Sequence, residues 1–176
     1  ELANQMLALA KVEQLRQQGA APVTDWGSVV RGVALDVSPL IAEKHLDFEL
    51  QAVPAPVRAH EWALRELTRN LLHNAIRHSP AGAALTVRLQ ADGRHVALTV
   101  SDAGPGISAE LRERLFQPFS RGASAAPGGT GLGLSICLEI VDSLGGSITL
   151  DNRIRHGQVE GLDATTRLTL ESAPHG

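Results

Sequence analysis

Along this chain apolar positions recur every three or four residues in some stretches and every second residue in others, which separates helices from strands. Leu2, Met6, Leu9, Val12 and Leu15 predict an amphipathic helix over 2–18, stopped at Gly19 and followed by a linker, Gly19-Ala20-Ala21-Pro22. A second helix is predicted from a cap at Thr24 or Asp25 through Val29, Val33 and Ile41 towards His45. A bend or break is expected in it where Pro39 removes a backbone donor. Residues 46–52 alternate as a short strand, ended by Val53-Pro54-Ala55-Pro56. The clearest helix covers 60–78, with Leu64, Leu67, Leu71 and Ala75 on one face and Ser79-Pro80-Ala81-Gly82 as its stop. Alternating strands over 84–90 and 95–101 flank Asp92-Gly93, a hairpin signal. A glycine loop at 102–106, a short helix around 110–115 and a small-residue stretch over 120–129 come next. A helix over 131–144, a Gly145-Gly146 turn and strands at 147–151 and 163–170 close the chain. Hairpins mixed with helices, rather than regular strand–helix–strand units, predict an α+β fold.

The 176 residues suffice for one domain with a real core. Lys and Arg number 16 against 19 Asp and Glu, so no basic surplus exists to neutralise duplex nucleic acid. With three Phe, two Trp and no Tyr, stacking on single-stranded bases is disfavoured as well. No apolar run reaches the length of a membrane span, and Glu1-Leu2-Ala3-Asn4 does not start a signal peptide. The single cysteine, Cys137, cannot form an intrachain disulfide, which points to a reducing compartment. A domain of cytosolic type is expected.

Three stretches carry chemistry. On the 60–78 helix, Asn70, Asn74 and Arg77 fall at i, i+4 and i+7, on one stripe beside the apolar face. Carboxamide oxygens and a guanidinium so arranged suit a hard cation beside a polyphosphate; a solvated polar face is the plainer alternative. Ser101-Asp102-Ala103-Gly104-Pro105-Gly106-Ile107 imitates a dinucleotide fingerprint. Pro105 removes a donor, however, and no acid stands about 20 residues on to meet a ribose. A plain turn also accounts for Gly-Pro-Gly, whereas Asp102, at a strand end, can accept a hydrogen bond from a base amine. Gly128-Gly129-Thr130-Gly131-Leu132-Gly133-Leu134-Ser135 opens a helix, so backbone N–H groups and the helix dipole can meet an anion. It is not a Walker A loop, since Gly-Lys-Ser/Thr is absent and Lys11 and Lys44 are the only lysines.

The order of these pieces is informative. Asn-Leu-Leu-x-Asn-Ala (from Asn70), Asp-x-Gly-x-Gly-Ile (from Asp102), Leu-Phe-x-Pro-Phe (from Leu115) and Gly-Thr-Gly-Leu-Gly-Leu-Ser-Ile (from Gly129) resemble the N, G1, F and G2 boxes of sensor histidine kinases. Those boxes belong to the catalytic ATP-binding domain, within the gyrase, chaperone, kinase and mismatch-repair superfamily. The resemblance runs from about Trp26 to Leu170. It implies a two-layer α/β sandwich: a mixed, mainly antiparallel sheet covered on one face by three helices. It implies ATP and Mg²⁺ as cofactors, with Asn74 as metal ligand, Asn70 assisting, and Arg77 at the phosphates. His78 would lie along the nucleotide, Asp102 would read the adenine amine, and Gly104, Gly106 and Ile107 would shape that pocket. Phe119 belongs to the F box, with Arg121 as a further phosphate contact in a lid over 120–128. Gly129, Thr130, Gly131, Leu132, Gly133 and Leu134 form the G2 phosphate loop.

One departure is instructive. Hydrolysing branches of the superfamily carry Glu-x-x-x-Asn-Ala, the glutamate activating water; here Asn70 takes its place, which favours transfer to a protein group over hydrolysis. His60-Glu61 begins like the phospho-acceptor motif His-Glu/Asp-x-x-Thr/Asn-Pro but lacks its ending, so the acceptor histidine is expected outside this chain. The resemblance divides the chain into 1–19, the end of a second dimerisation helix; 20–24, a linker; and 25–176, the catalytic domain. It implies as partners a dimerisation and histidine phosphotransfer domain and a response regulator, in a homodimeric, inner-membrane parent whose catalytic part is cytoplasmic. Rival readings are an ATPase or serine kinase of the same superfamily, or a non-catalytic nucleotide-binding scaffold.

Overall fold

The computed structural model describes Ala10 and residues 21–116 and 130–171; apart from Ala10, which is helical, the leading helix predicted over 2–18 lies outside them. Strand β1 (Val23–Asp25) runs into helix α1 (Trp26–Glu43), followed by β2 (Asp47–Ala52) and β3 (Pro56–Arg58). Helix α2 (Glu61–His78), the hairpin β4 (Ala84–Asp92) and β5 (His95–Asp102), helix α3 (Ala109–Phe116), helix α4 (Thr130–Ser143), β6 (Ser147–Arg155) and β7 (Gln158–Thr169) complete the order. Five strands form one sheet, β2-β4-β5-β7-β6, parallel only between β2 and β4. The expected α+β architecture with a mixed, mainly antiparallel sheet is what the chain adopts.

Alternation decides which side of the sheet is covered. Leu85, Val87 and Leu89 on β4, Val96, Leu98 and Val100 on β5, and Leu162, Ala164 and Leu168 on β7 are buried, while most of their neighbours in sequence are not. Helix α2 lies between α1 and α4 on that face and closes the core with Leu64, Leu67, Leu71 and Leu72. Trp26, fully buried, donates its indole N–H to Thr68 Oγ1 at 3.1 Å, and Thr68 in turn donates to the Leu64 carbonyl at 2.7 Å. The one polar atom of the indole is thereby satisfied inside the helical layer.

Asp25 is the cap of α1. One carboxylate oxygen accepts from the N–H groups of Gly27 (3.0 Å) and Ala55 (2.8 Å), the other from the Ser28 hydroxyl at 2.8 Å. Burial alone would raise its pKa, but these donors outweigh it and hold the carboxyl below the usual range. The break expected at Pro39 does not occur, since α1 continues to Glu43. Proline cannot donate to the carbonyl four residues back, that of Leu35, and the Ser38 hydroxyl donates to it instead at 2.8 Å. At the far end, Lys44 Nζ donates to the carbonyls of Ile76 (2.8 Å), Arg77 (3.1 Å) and Ser79 (2.6 Å), so one ammonium satisfies the open C-terminus of α2.

Two features go beyond the sequence pattern. β1 and β3 pair antiparallel as a separate ribbon. Strands β6 and β7 run further than predicted and meet in a two-residue turn, His156-Gly157, both with positive φ (53° and 76°), the geometry that matches strand twist.

Candidate functional site

The site grows from the C-terminal end of β5. Asp102 is 3 % exposed, and its Oδ1 accepts from the N–H groups of Gly104 (2.8 Å) and Leu162 (3.3 Å). Burial raises its pKa, outweighing those two bonds and the nearby charges of His78 and Arg153. Both of these bonds fall on one oxygen, Oδ1.

The loop after Asp102 fits tightly between α2 and the sheet. A Cβ on Gly104 would lie 2.5 Å from the His78 carbonyl oxygen, so only glycine lets the loop pass the end of α2. Gly106 has φ +80°, and a side chain there would also strike the Asn152 amide at 2.4 Å. Asn152 holds the next residue from both sides: its Oδ1 accepts from Ile107 N–H at 2.8 Å and its Nδ2 donates to the Ile107 carbonyl at 2.9 Å.

A cleft opens between this loop and the helices, lined by Asn74, His78, Gly106, Ile107, Leu111, Leu134 and Leu162. It joins four stretches that are far apart in sequence. Asn74 and His78 stand one turn apart on α2, each half-buried, with Arg77 exposed beside them. Asn70, a turn earlier, turns its amide Nδ2 back to the Glu66 carbonyl at 2.7 Å and towards Glu66 Oε1 at 3.4 Å. Burial lowers the His78 pKa; Arg77 and Lys44 push it the same way, against Asp102, so the ring is neutral near pH 7.

Of the residues predicted for the G2 loop, Thr130, Gly131, Leu132 and Gly133 form the start of α4, and Leu134 is buried against the cleft. Phe119, Arg121 and Gly129 lie outside the described residues. Sequence reasoning missed Leu111, Leu162, Asn152 and Arg153. Asn152 is 45 positions from the loop it clamps, and no local pattern announces such a contact. Among the described residues no three His, Cys, Asp or Glu side chains gather to hold a metal. The side-chain oxygen in the cleft's described lining is that of the Asn74 carboxamide, a donor that suits a hard cation also taking ligands from phosphates.

Residues 59–173 match the family described as Histidine kinase-, DNA gyrase B-, and HSP90-like ATPase. The sensor histidine kinase AruS of Pseudomonas aeruginosa is 33 % identical over 165 residues, which is 88 % of this chain and 16 % of AruS. The solved mycobacterial sensor histidine kinase MprB superposes with a TM-score of 0.73 at 29 % identity, covering 87 % of this chain and 99 % of that one. Full-length ShkA, solved in complex with AMPPNP, gives a TM-score of 0.73 at 25 % identity over 98 % of this chain and 36 % of its own. The chain spans between 16 % and 32 % of the length of the first curated relatives it matches.

Proposed function

The chain belongs to the histidine kinase-, DNA gyrase B- and HSP90-like ATPase family, and from that premise we propose that it is the ATP-binding catalytic domain of a two-component sensor histidine kinase. In this reading it transfers the γ-phosphoryl group of ATP to a histidine on a dimerisation domain, for relay to a response-regulator aspartate. The observation that carries the reading is the convergence of Asn74 and His78, the loop after Asp102, and the start of α4 on one cleft. An adenine nucleotide bound in ShkA, which has the same fold, supports the choice of ligand.

Asp102 Oδ2 accepts the exocyclic amine of adenine, while the neutral His78 ring and Ile107 form walls of the base pocket. Arg77 and the backbone N–H groups of the G2 loop, from Gly129 through Gly133, offset phosphate charge. Asn74, with Asn70 beside it, would hold Mg²⁺, which when bound supplies charge neutralisation at the triphosphate. A carboxamide at position 70 cannot take a proton from water, so the domain orients ATP and leaves attack to the acceptor imidazole. The bond from the γ-phosphorus to the bridging oxygen breaks, a nitrogen–phosphorus bond forms, and ADP leaves. Phe119 and Arg121 belong to the lid in this reading. Residues 1–19 are the end of a dimerisation helix and 20–24 its linker, in a homodimeric parent anchored in the inner membrane with this part in the cytoplasm. Among the described residues no helix is long and apolar enough to cross a membrane.

The test pairs calorimetric titration of ATP, with and without Mg²⁺, with incubation of the chain, radiolabelled ATP and a separately produced dimerisation domain. Mg²⁺-dependent binding and acid-labile label on the added domain are expected. Rapid phosphate release without an acceptor would point to an ATPase instead, and a titration without heat or competition to a scaffold.

A further inference from the structure

The base-recognition residue is held from behind by a strand the family boxes do not include. Arg153, on β6, donates through one guanidinium nitrogen to the backbone carbonyl of Asp102, and through the other to Asp163 Oδ1 and, at 3.4 Å, to the Leu162 carbonyl. Two features make room for it, and a third acts beside it on the same loop. The β6–β7 register slips between Arg153 and Ile154: Arg153 faces Gly161 and Ile154 faces Val159, so Glu160 is an extra residue on β7. At Gly161 a Cβ would lie 2.0 Å from the Asp102 carbonyl oxygen and 2.2 Å from the guanidinium, so glycine alone fits. Asn152, the preceding residue, clamps Ile107 at the far end of the same loop. A bulge, a glycine and two consecutive polar side chains thus converge on residues 102–107.

We propose that Arg153 is a positioning residue for base recognition: it fixes the backbone of Asp102 and thereby aims the carboxylate that separates adenine from guanine nucleotides. This rests on the reading that Asp102 meets the base amine. Asp102 Oδ1 is already tied to Gly104 and Leu162, so the direction of Oδ2 follows the backbone rotation at residue 102. A guanidinium holds a carbonyl and a carboxylate at once through its fork, which an ammonium does less well. Its charge also opposes burial in keeping Asp102 ionised.

The experiment compares ATP and GTP dissociation constants, by calorimetry across pH 5–8, for the wild-type chain, Arg153→Gln, Arg153→Lys and Asp102→Asn, with melting temperatures alongside. Loss of a bond to a charged group at a fixed site predicts that Arg153→Gln lowers ATP affinity by about tenfold with GTP affinity little changed. The lysine variant should lie between wild type and glutamine. In Arg153→Gln the pH below which ATP binding weakens should move upward. Equal losses for ATP and GTP that track a fall in melting temperature, or no change at all, would overturn the proposal. Should the glutamine variant fail to fold, Arg153→Lys decides alone: a narrowed ATP-over-GTP preference supports positioning, an unaltered one rejects it. A wild-type chain with no ATP preference, or an Asp102→Asn variant that keeps it, refutes instead the base-recognition reading on which the proposal stands.

Discussion

In the proposed reading Asp102 serves two opposed demands, since the carboxylate assigned to a base amine is also one the fold buries. Its raised pKa means that the protonated form suits the folded chain better than the ionised one. The group therefore favours folding most below the ordinary aspartate value, and that contribution is lost as pH rises through the raised one. Asp102→Asn removes the buried charge while its Oδ1 can still accept from Gly104 and Leu162. The ligand-free variant is expected to melt above the wild type at pH 7 and to lose its ATP-over-GTP preference; differential scanning calorimetry and GTP competition check the two halves. ATP binding by the wild type should likewise weaken on acidification at a pH above that of an ordinary aspartate. For Asn74→Ala the opposite pattern holds. The side chain is half-exposed on a helix whose core face is elsewhere, so circular dichroism should be unchanged while Mg²⁺-dependent ATP affinity falls by about tenfold or more, in the range seen when groups around a metal are removed. A collapse of the helical signal would make Asn74 structural. Motif spacing singled out Asn74 and Asp102, and the family resemblance added His78; Asn152 and Arg153 escaped both, because each acts on a partner more than 40 positions away.

At the scale of elements, what could be read depended on whether one face was buried. Helix α2 and the β4–β5 hairpin showed their periods because one side meets the core, and their predicted limits lie within two residues of the observed ones. Between 153 and 160 nearly every side chain is solvent-exposed, so neither period appears, and the tip of the β6–β7 hairpin could not be predicted. The β1–β3 ribbon is only three residues long on each side, too short for any pattern. Pro39 failed as a helix breaker because a neighbouring hydroxyl supplied the missing donor. Asp25 shows how an element end joins its surroundings: it caps α1 and also takes the N–H of Ala55, beside β3. Asp25→Ala should cost about 1–2 kcal/mol, as lost helix caps do. That amounts to about 2–4 °C of melting temperature per kcal/mol for a domain of this size. Because its folded pKa is lowered, this stabilisation is complete above the usual aspartate value and fades as pH falls through the lower folded one. Melting curves at pH 7 and pH 3 check this: the gap between wild type and variant should shrink at the lower pH.

For the molecule as a whole, the cleft lies where the helical layer meets the end of β5 and its neighbour β7, two inner strands of the sheet. Helix α2 contributes Asn74 and His78, the end of β5 leads into Gly106 and Ile107, β7 adds Leu162, and α4 adds Leu134. No one of these stretches forms a pocket alone; it exists only when both layers are assembled. The α+β class was foreseeable from alternating strands and amphipathic helices and the two-layer sandwich from the family resemblance, but the convergence of the four stretches required the fold itself. A ligand that touches both layers binds the folded chain and not the unfolded one, so it must stabilise the whole by mass action. At a free Mg·ATP concentration 100 times its dissociation constant the gain is about 2.7 kcal/mol. At about 2–4 °C per kcal/mol, the melting temperature should rise by about 5–11 °C. The same concentration applied to Asn74→Ala should give a clearly smaller rise, and Mg²⁺ without nucleotide almost none, since in the proposed reading the cation takes most of its ligands from phosphate and water. A core truncation provides the contrast. Leu67→Ala, at a fully buried position of α2, should cost about 2–5 kcal/mol of stability. In that variant the starting temperature falls while the nucleotide-induced rise survives wherever the chain is still folded. If the rise vanished in Leu67→Ala as completely as in Asn74→Ala, the stripe on α2 would be acting through general packing rather than through contact with the nucleotide.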